Sequence, residues 1–253
     1  VLFYNNLMIS TNMMEAARAN GVKKYFYSSS ACVYNESKQD DPDDCSLNES
    51  MAWPAAPQDT YGLEKLCTEE LCMVYGRDFG IEVRIARFHN IFGERGTWFG
   101  GREKVPSAFI RKAITSTKDF EVWGDGTATR SFLHISECVE GVIRLMESDY
   151  KQPINLGSDE MISMNDFAKK CMYLTNNELP IRHVDGPEGV RGRNSDNALI
   201  EKVLGWRPTM SLDDGLAKTI SWIYDEIRLK DHAGKDFTTS EIVEQTTESF
   251  EKL

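Results

Sequence analysis

VKKYFYSSSACVY (residues 22–34) and DTYGLEKLCTEEL (residues 59–71) decide how this chain folds. The first is a β-branched and aromatic run that ends in three hydroxyls, Ser28, Ser29 and Ser30, and it reads as a strand opening into a polar turn. The second sets Tyr61 and Lys65 four residues apart, a spacing that puts both side chains on one face of a helix. An ammonium beside a phenol lowers a pKa that otherwise stands near ~10. A phenol tuned in that way can move a hydroxyl proton while a hydride leaves the same carbon. Strand-end hydroxyl, phenol and ammonium together form the proton-handling set of an oxidoreductase site.

Outward from these segments, helix and strand alternate. The periodicity predicts helices over 5–20 (stopping at Asn20-Gly21), 58–78 (stopping near Gly80), 104–116, 136–147, 163–173, 196–204 and 212–229. It predicts strands over 23–29, 81–88, 119–123, 130–134, 153–156 and 180–184, with a long polar loop over 34–57. Strands separated by helices imply an α/β fold with a doubly wound parallel sheet. Beyond Ile227 the periodicity fades, and the acidic segment 231–253 reads as a disordered or loosely helical tail.

The 253 residues suffice for one large or two small domains, and 41% hydrophobic content with 10% aromatics is globular. No stretch approaches the ~18 to 20 apolar residues of a membrane span. The chain opens VLFYNNLMISTNMMEAAR, without a basic start, a cleavage site or an initiator Met, which reads as an incomplete N-terminus begun inside a helix. A net charge of −11 argues against nucleic acid as a partner. Between Arg84 and Arg130, however, nine Lys/Arg face five Asp/Glu, a stretch that suits either a phosphorylated small molecule or a solvated face. The six cysteines show no C-x-x-C pattern and read as reduced cytosolic thiols, mostly core fillers. His89 and His134 read as satisfied structural histidines, and no His/Cys/Asp cluster has the spacing of a metal site.

A dinucleotide enzyme needs a glycine-rich turn between a strand and a helix to cradle the pyrophosphate. Gly93, Gly96, Gly100 and Gly101 follow a strand, but at the wrong spacing. Gly186, Gly189 and Gly192 have G-x-x-G-x-x-G spacing between a predicted strand and a predicted helix, yet no βαβ unit follows. That run reads better as an arginine loop gripping a ligand's phosphates, or as a surface turn. The cradle is therefore expected upstream, in about a hundred residues preceding the first helix.

The run NNLMISTNMMEAARANGVKKYFYSSSACVY (5–34), the Tyr61–Lys65 pair, ARFHNIFG (86–93), RSFLHISECVEGV (130–142) and INLGS (154–158) resemble the extended short-chain dehydrogenase/reductases, the nucleotide-sugar epimerases and dehydratases, over residues 1–229. Sugar dehydratases of that family usually carry an Asp-Glu pair where this chain has Ala31 and Cys32, which favours an epimerase. SSAC (29–32), AWPAAPQDTYGLEKL (52–66), TWFGGREKVP (97–106) and GPEGVRGRNSDN (186–197) resemble a narrower branch, the plant-type GDP-mannose 3,5-epimerases.

The resemblance implies a Rossmann-like sheet lacking its N-terminal strands, over residues 1–93 with 130–158 returning to it, and a smaller α/β substrate domain over 94–129 and 159–230. It implies NAD as cofactor, a GDP-sugar as substrate, and a cytosolic homodimer serving ascorbate biosynthesis. Transient oxidation at C4 of the mannosyl ring would acidify C3 and C5. Tyr61 would be the acid/base at O4, Lys65 its activator and a cofactor contact, and Ser30 an orienting hydroxyl. Cys32 and Lys104 would invert the ring carbons. Thiols titrate near ~8.5, within reach of base catalysis at neutrality, and ammonium groups shielded from water can serve likewise. Substrate contacts would come from Ser30, Ala31, Cys32, Asn90, Glu103, Lys104, Val105, Lys112, Ala128, Thr129, Arg130 and Arg193, the cations facing the diphosphate. Ala128 stands where the family usually has Gln, which removes one substrate hydrogen bond. The alternatives are a UDP-sugar 4-epimerase or decarboxylase, and a truncated chain that only binds sugar nucleotide.

Overall fold

A computed structural model of the chain describes residues 1–231 and 236–238. Helix α1 (Leu2–Ala19) ends at Asn20, with Gly21 at φ +64°, and leads into strand β1 (Lys24–Ser30). The polar loop that follows holds three short turns of helix and a two-residue strand, β2 (Ser46–Leu47). Helix α2 (Thr60–Phe79) starts where the Asp59 carboxylate accepts the Gly62 N–H at 2.7 Å, and it ends at Gly80 in the left-handed conformation. Strand β3 (Glu82–Phe88) runs parallel to β1 in the register Lys24↔Glu82 to Ser30↔Phe88, and β8 (Ile154–Leu156) pairs on its other side. The order β1–β3–β8 makes a parallel sheet with β1 at one edge.

Both faces of that sheet are covered, as a doubly wound fold requires. On one face Met14 of α1 and Cys72 of α2 pack against Tyr27, Val83 and Ile85. On the other, Ala86, Ile154 and Leu156 meet Cys138 and Leu145 of α4 (Ile135–Glu147) and Ile200 of α6 (Ala198–Leu204). Residues 83–87 of β3 are therefore all buried, which includes Arg84 and Arg87.

A second core lies over the other half of the chain. Phe109 and Ile110 of α3 (Val105–Thr115) meet Phe120 and Val122 of β5 (Phe120–Trp123), Phe167 and Cys171 of α5 (Met164–Leu174), and Leu216 and Ile223 of α7 (Leu212–Asp231). Here β5 pairs with β10 (Ile181–Val184). A four-stranded sheet of order β2–β11–β6–β9 joins β11 (Gly192–Ser195) to β6 (Thr129–Ser131) and β6, antiparallel, to β9 (Met161–Ser163). The remaining pair is β4 (Ile91–Phe92) with β7 (Leu133–His134).

Three expectations change. The predicted strand over 130–134 is two strands, β6 and β7, in different sheets. The run Gly186/Gly189/Gly192 joins β10 to β11, so it opens no helix and cannot cradle a pyrophosphate as a strand-to-helix turn does. Of the segment 231–253, the described residues include Phe237, which is buried in the second core; residues 239–253 lie outside the described residues. No helix among the described residues is long and apolar enough to cross a membrane.

Candidate active site

In a parallel sheet the ligand end is the carboxyl end of the strands. There β1 delivers Ser28, Ser29 and Ser30. Ser30 Oγ accepts the Cys32 N–H at 3.2 Å and starts a turn of helix over Ala31–Val33, which holds Cys32 half-buried at the strand end. Helix α2 meets that turn at Gly62, where a Cβ would stand 2.1 Å from the Cys32 carbonyl oxygen. Because the glycine allows this approach, Tyr61 comes to the same corner, where its phenol interacts with the Ser30 hydroxyl.

Three residues of α2 at helical spacing address the three serines in turn. Tyr61 meets Ser30, Lys65 Nζ donates to the Ser28 carbonyl at 2.9 Å, and Glu69 Oε1 accepts the Ser29 hydroxyl at 2.5 Å. Glu69 also takes a bidentate pair from Arg87, at 2.9 and 2.6 Å, and both side chains are fully enclosed. Arg87 in turn donates to the Glu49 carbonyl and the Tyr34 hydroxyl, and Tyr34 donates to Asn155 Oδ1 at 2.6 Å. The strand end is thus locked to the helix and to the polar loop by buried polar bonds.

The electrostatics differ from the sequence expectation. Burial raises the Tyr61 phenol above its usual range, the nearby Cys32 adds to that, and the Ser30 hydrogen bond opposes it. Lys65 stands 5.7 Å from the Tyr61 ring centroid and 4.9 Å from that of Tyr27, and its ammonium is engaged by the Ser28 carbonyl. Burial lowers its own pKa.

Cys32 has a cationic neighbour: Arg193 Nη1 lies 3.3 Å from its Sγ, while Arg193 Nε donates to Gln39 Oε1 at 2.6 Å. Arg193 on β11 is the register partner of Arg130 on β6, so two guanidiniums sit side by side. Burial lowers Arg130 to about 10, and Arg193 contributes. The guanidinium of Arg130 donates to the carbonyls of Thr129, Glu188 and Val190, which leaves its positive charge uncompensated by those contacts. Thr129 donates to the Pro42 carbonyl at 2.5 Å, and Ala128 is buried with its carbonyl accepting the Met164 N–H. Asn90 adopts φ +44° and donates to the Ser131 carbonyl at 2.9 Å.

The other proposed contacts stand on a separate element. Lys104 is exposed just before α3, Val105 begins that helix, and Glu103 pairs with Arg111 at 3.3 Å. Lys112 Nζ donates to the Glu121 carbonyl at 3.0 Å, and burial lowers its pKa. Among the described hydrogen bonds none joins this group to the Tyr61–Cys32 corner. The shielding expected of Lys104 is absent, because the residue stands at an exposed helix start.

The basic stretch 84–130 is neither a solvated face nor wholly a ligand surface. Arg84, Arg87 and Arg111 are buried and bond internally. His89 is fully buried with Nε2 on Asn155 at 2.8 Å, but its Nδ1 has no partner among the described residues, so it is not satisfied as expected. Gln39, Gly62, Glu69 and Arg87 escaped the sequence reading. Glu69 alone carried a signal, being eight residues beyond Tyr61 on the same helix face. Among the described residues no three His, Cys, Asp or Glu side chains cluster as a metal site.

Residues 1–157 match the NAD dependent epimerase/dehydratase family. GDP-mannose 3,5-epimerase 1 of Oryza sativa subsp. indica is 62% identical over 236 residues, 93% of this chain and 62% of the relative. GDP-mannose 3,5-epimerase of Arabidopsis thaliana is 61% identical over 93% of this chain and 63% of its own length. The chain thus spans less than two thirds of the curated relatives it matches. Among solved structures, the UDP-N-acetylglucosamine 4-epimerase from Methanobrevibacter ruminantium M1 shares the fold at a TM-score of 0.79 and 22% identity, over 88% of this chain and 69% of that one. The strand-end serines, the tyrosine–lysine helix and the doubly wound sheet fall within the matched region, and the chain belongs to the NAD dependent epimerase/dehydratase family.

Proposed function

We propose that this site serves an NAD-dependent epimerase that converts GDP-mannose to GDP-L-galactose through a 4-keto sugar. The observation that carries the reading is the corner where Ser30, Cys32, Tyr61 and Arg193 meet, in a chain 62% identical to a GDP-mannose 3,5-epimerase. NAD, when bound, supplies the hydride acceptor and donor that make a ketone at C4 accessible. The residues present fit the nicotinamide-ribose end of NAD, because Tyr61 and Lys65 stand together at the carboxyl end of β1. Neither glycine run described above fits its pyrophosphate.

Tyr61 holds and moves the proton at O4, and a buried, protonated phenol is suited to give that proton back. Ser30 orients the same hydroxyl. Once C4 is a carbonyl, the hydrogens on C3 and C5 become acidic, and Cys32 and Lys104 exchange them on opposite faces. Lys112, Arg130 and Arg193 face the diphosphate, with Asn90, Glu103, Val105, Thr129 and the backbone at Ala31 and Ala128 completing the sugar-nucleotide site. Residues 1–93 with 130–158 form the cofactor domain, and 94–129 with 159–230 the substrate domain, save that Ile200 packs in the core of the parallel sheet and Phe92 and Phe132 in the second core. A cytosolic homodimer would pair across α1 and α2, whose Leu2, Tyr4, Met8, Ile9, Met13 and Leu63 are exposed.

The test is solvent exchange. GDP-mannose incubated with the protein and NAD in deuterium oxide gains deuterium at C3 or C5. Cys32→Ala loses that label while keeping oxidation at C4, and Tyr61→Phe loses both. Label retained in Cys32→Ala overturns the role of the thiol. Stabilisation against heat by UDP-sugars and not by GDP-mannose overturns the substrate.

A further inference from the structure

Between Phe92 and α3 the chain passes through Trp98 and Phe99, then Gly100 and Gly101 at φ +103° and +80°, before reaching Glu103 and Lys104. Two glycines in a surface connection leave the backbone many conformations. The described piece of the C-terminal segment meets the residues before the glycine pair directly, and Glu103 beyond it through Arg111.

Phe237 is 5% exposed, with its ring centroid 5.3 Å from that of Trp98 and 5.1 Å from that of Phe99, the latter edge-on. This contact clamps the segment before the glycines. Behind the ring, the Asp236 carboxylate accepts the Thr238 N–H at 2.8 Å and its hydroxyl at 2.7 Å, a local turn that presents two carbonyls to α3. Arg111 Nη1 donates to the Phe237 carbonyl at 2.8 Å and to the Thr238 carbonyl at 3.2 Å. Thr115 adds a hydroxyl to the Phe237 carbonyl at 3.3 Å. The Nη2 of the same guanidinium reaches Glu103 at 3.3 Å, beyond the glycines. Arg111 is 2% exposed, and a charge so enclosed depends on every bond it makes. The tail carbonyls and Glu103 therefore share one cation, and the position of one sets the position of the other.

We propose that Phe237 and Arg111 are positioning residues, which strap the Trp98–Lys104 segment to α3 and so place Glu103 and Lys104. The consequence for ligand binding rests on the reading that these two residues meet the sugar nucleotide; the strap itself does not.

Hydrogen exchange by mass spectrometry and GDP-mannose titration, both on the full 253-residue chain, test it together. Phe237→Ala is expected to speed amide exchange over 94–104 by about tenfold, with α2 and β1 unchanged, and to weaken GDP-mannose binding by about the same factor. Phe237→Met keeps the apolar volume and loses the ring contacts. It shows a smaller change of the same pattern, and replaces the alanine variant if that one does not fold. Unchanged exchange over 94–104 overturns the strap, as does loosening spread equally into α2. Faster exchange with undiminished binding overturns the positioning role. If the unaltered chain binds no GDP-mannose, the proposed substrate falls, and the exchange data alone decide the strap.

Discussion

Gly62 shows how one missing side chain sets the site. Within a helix, alanine is normally better than glycine by ~1 kcal/mol. Here an added Cβ would lie 2.1 Å from the Cys32 carbonyl oxygen and 2.9 Å from both the Cys32 carbonyl carbon and the Pro57 Cβ. Two of those atoms are backbone and cannot swing away, so overpacking outweighs propensity. Gly62→Ala is expected to lower stability by about 1 to 3 kcal/mol in urea unfolding and to displace Tyr61 from Ser30. A gain in stability would show that the helix and the turn can part without cost. None of this was legible in DTYGLEKL, because the reason for the glycine is a carbonyl thirty residues upstream. The Tyr61–Lys65 spacing was legible, since it follows from helix period alone. Its electrostatic consequence was not: the burial that raises the phenol depends on packing from distant parts of the chain, which the local pattern does not show.

Helix α2 carries Tyr61, Lys65 and Glu69 on one stripe, and the stripe depends on a buried ion pair. Glu69 and Arg87 are 2% and 3% exposed and meet at 2.6 Å. Removing one partner strands the other charge away from water, so Glu69→Gln is expected to cost about 3 to 5 kcal/mol of unfolding free energy. Replacing both by methionine is expected to cost less, because no charge is left unpaired. Chemical denaturation of the two variants checks this, and a double variant worse than the single one refutes it. The main helices and sheet strands were readable from periodicity and glycine stops, as at Asn20-Gly21 and Gly80. The short strands were not. Strand β11 lies in GPEGVRGRNS, whose glycines and charges suggest a turn; it is a strand because β2 and β6 offer backbone partners on either side. Pairing supplied by distant residues leaves little trace in a local pattern.

His89 ties the whole molecule together and exposes it to acid. It follows β3, bonds Asn155 on β8, and packs in the region of Gly157 and Ser195, where the parallel sheet meets the strand carrying Arg193. Asn155 Oδ1 already accepts from Tyr34, and its amide donates to the Leu47 carbonyl, so the imidazole must donate through Nε2 and keep Nδ1 bare. A proton on Nδ1 would find no acceptor among the described residues. Burial accordingly lowers the His89 pKa to about 3, and Arg193 and Arg87 add to the shift. An unfolded imidazole takes up its proton near ~6.5. Between those values the unfolded state binds more protons than the folded one. The stability due to neutral His89 is thus complete above about pH 6.5 and is lost as the pH falls toward the folded value. The slope is about 1.4 kcal/mol per pH unit. His89→Gln keeps a donor for Asn155 and removes the titration. Unfolding free energies measured from about pH 6 down to about pH 4 are expected to fall less steeply in the variant, by that slope. Other buried acids such as Glu49 titrate in both proteins and cancel in the difference. An identical slope in the two proteins would mean that water reaches the imidazole, and that the junction between sheet and loop is open.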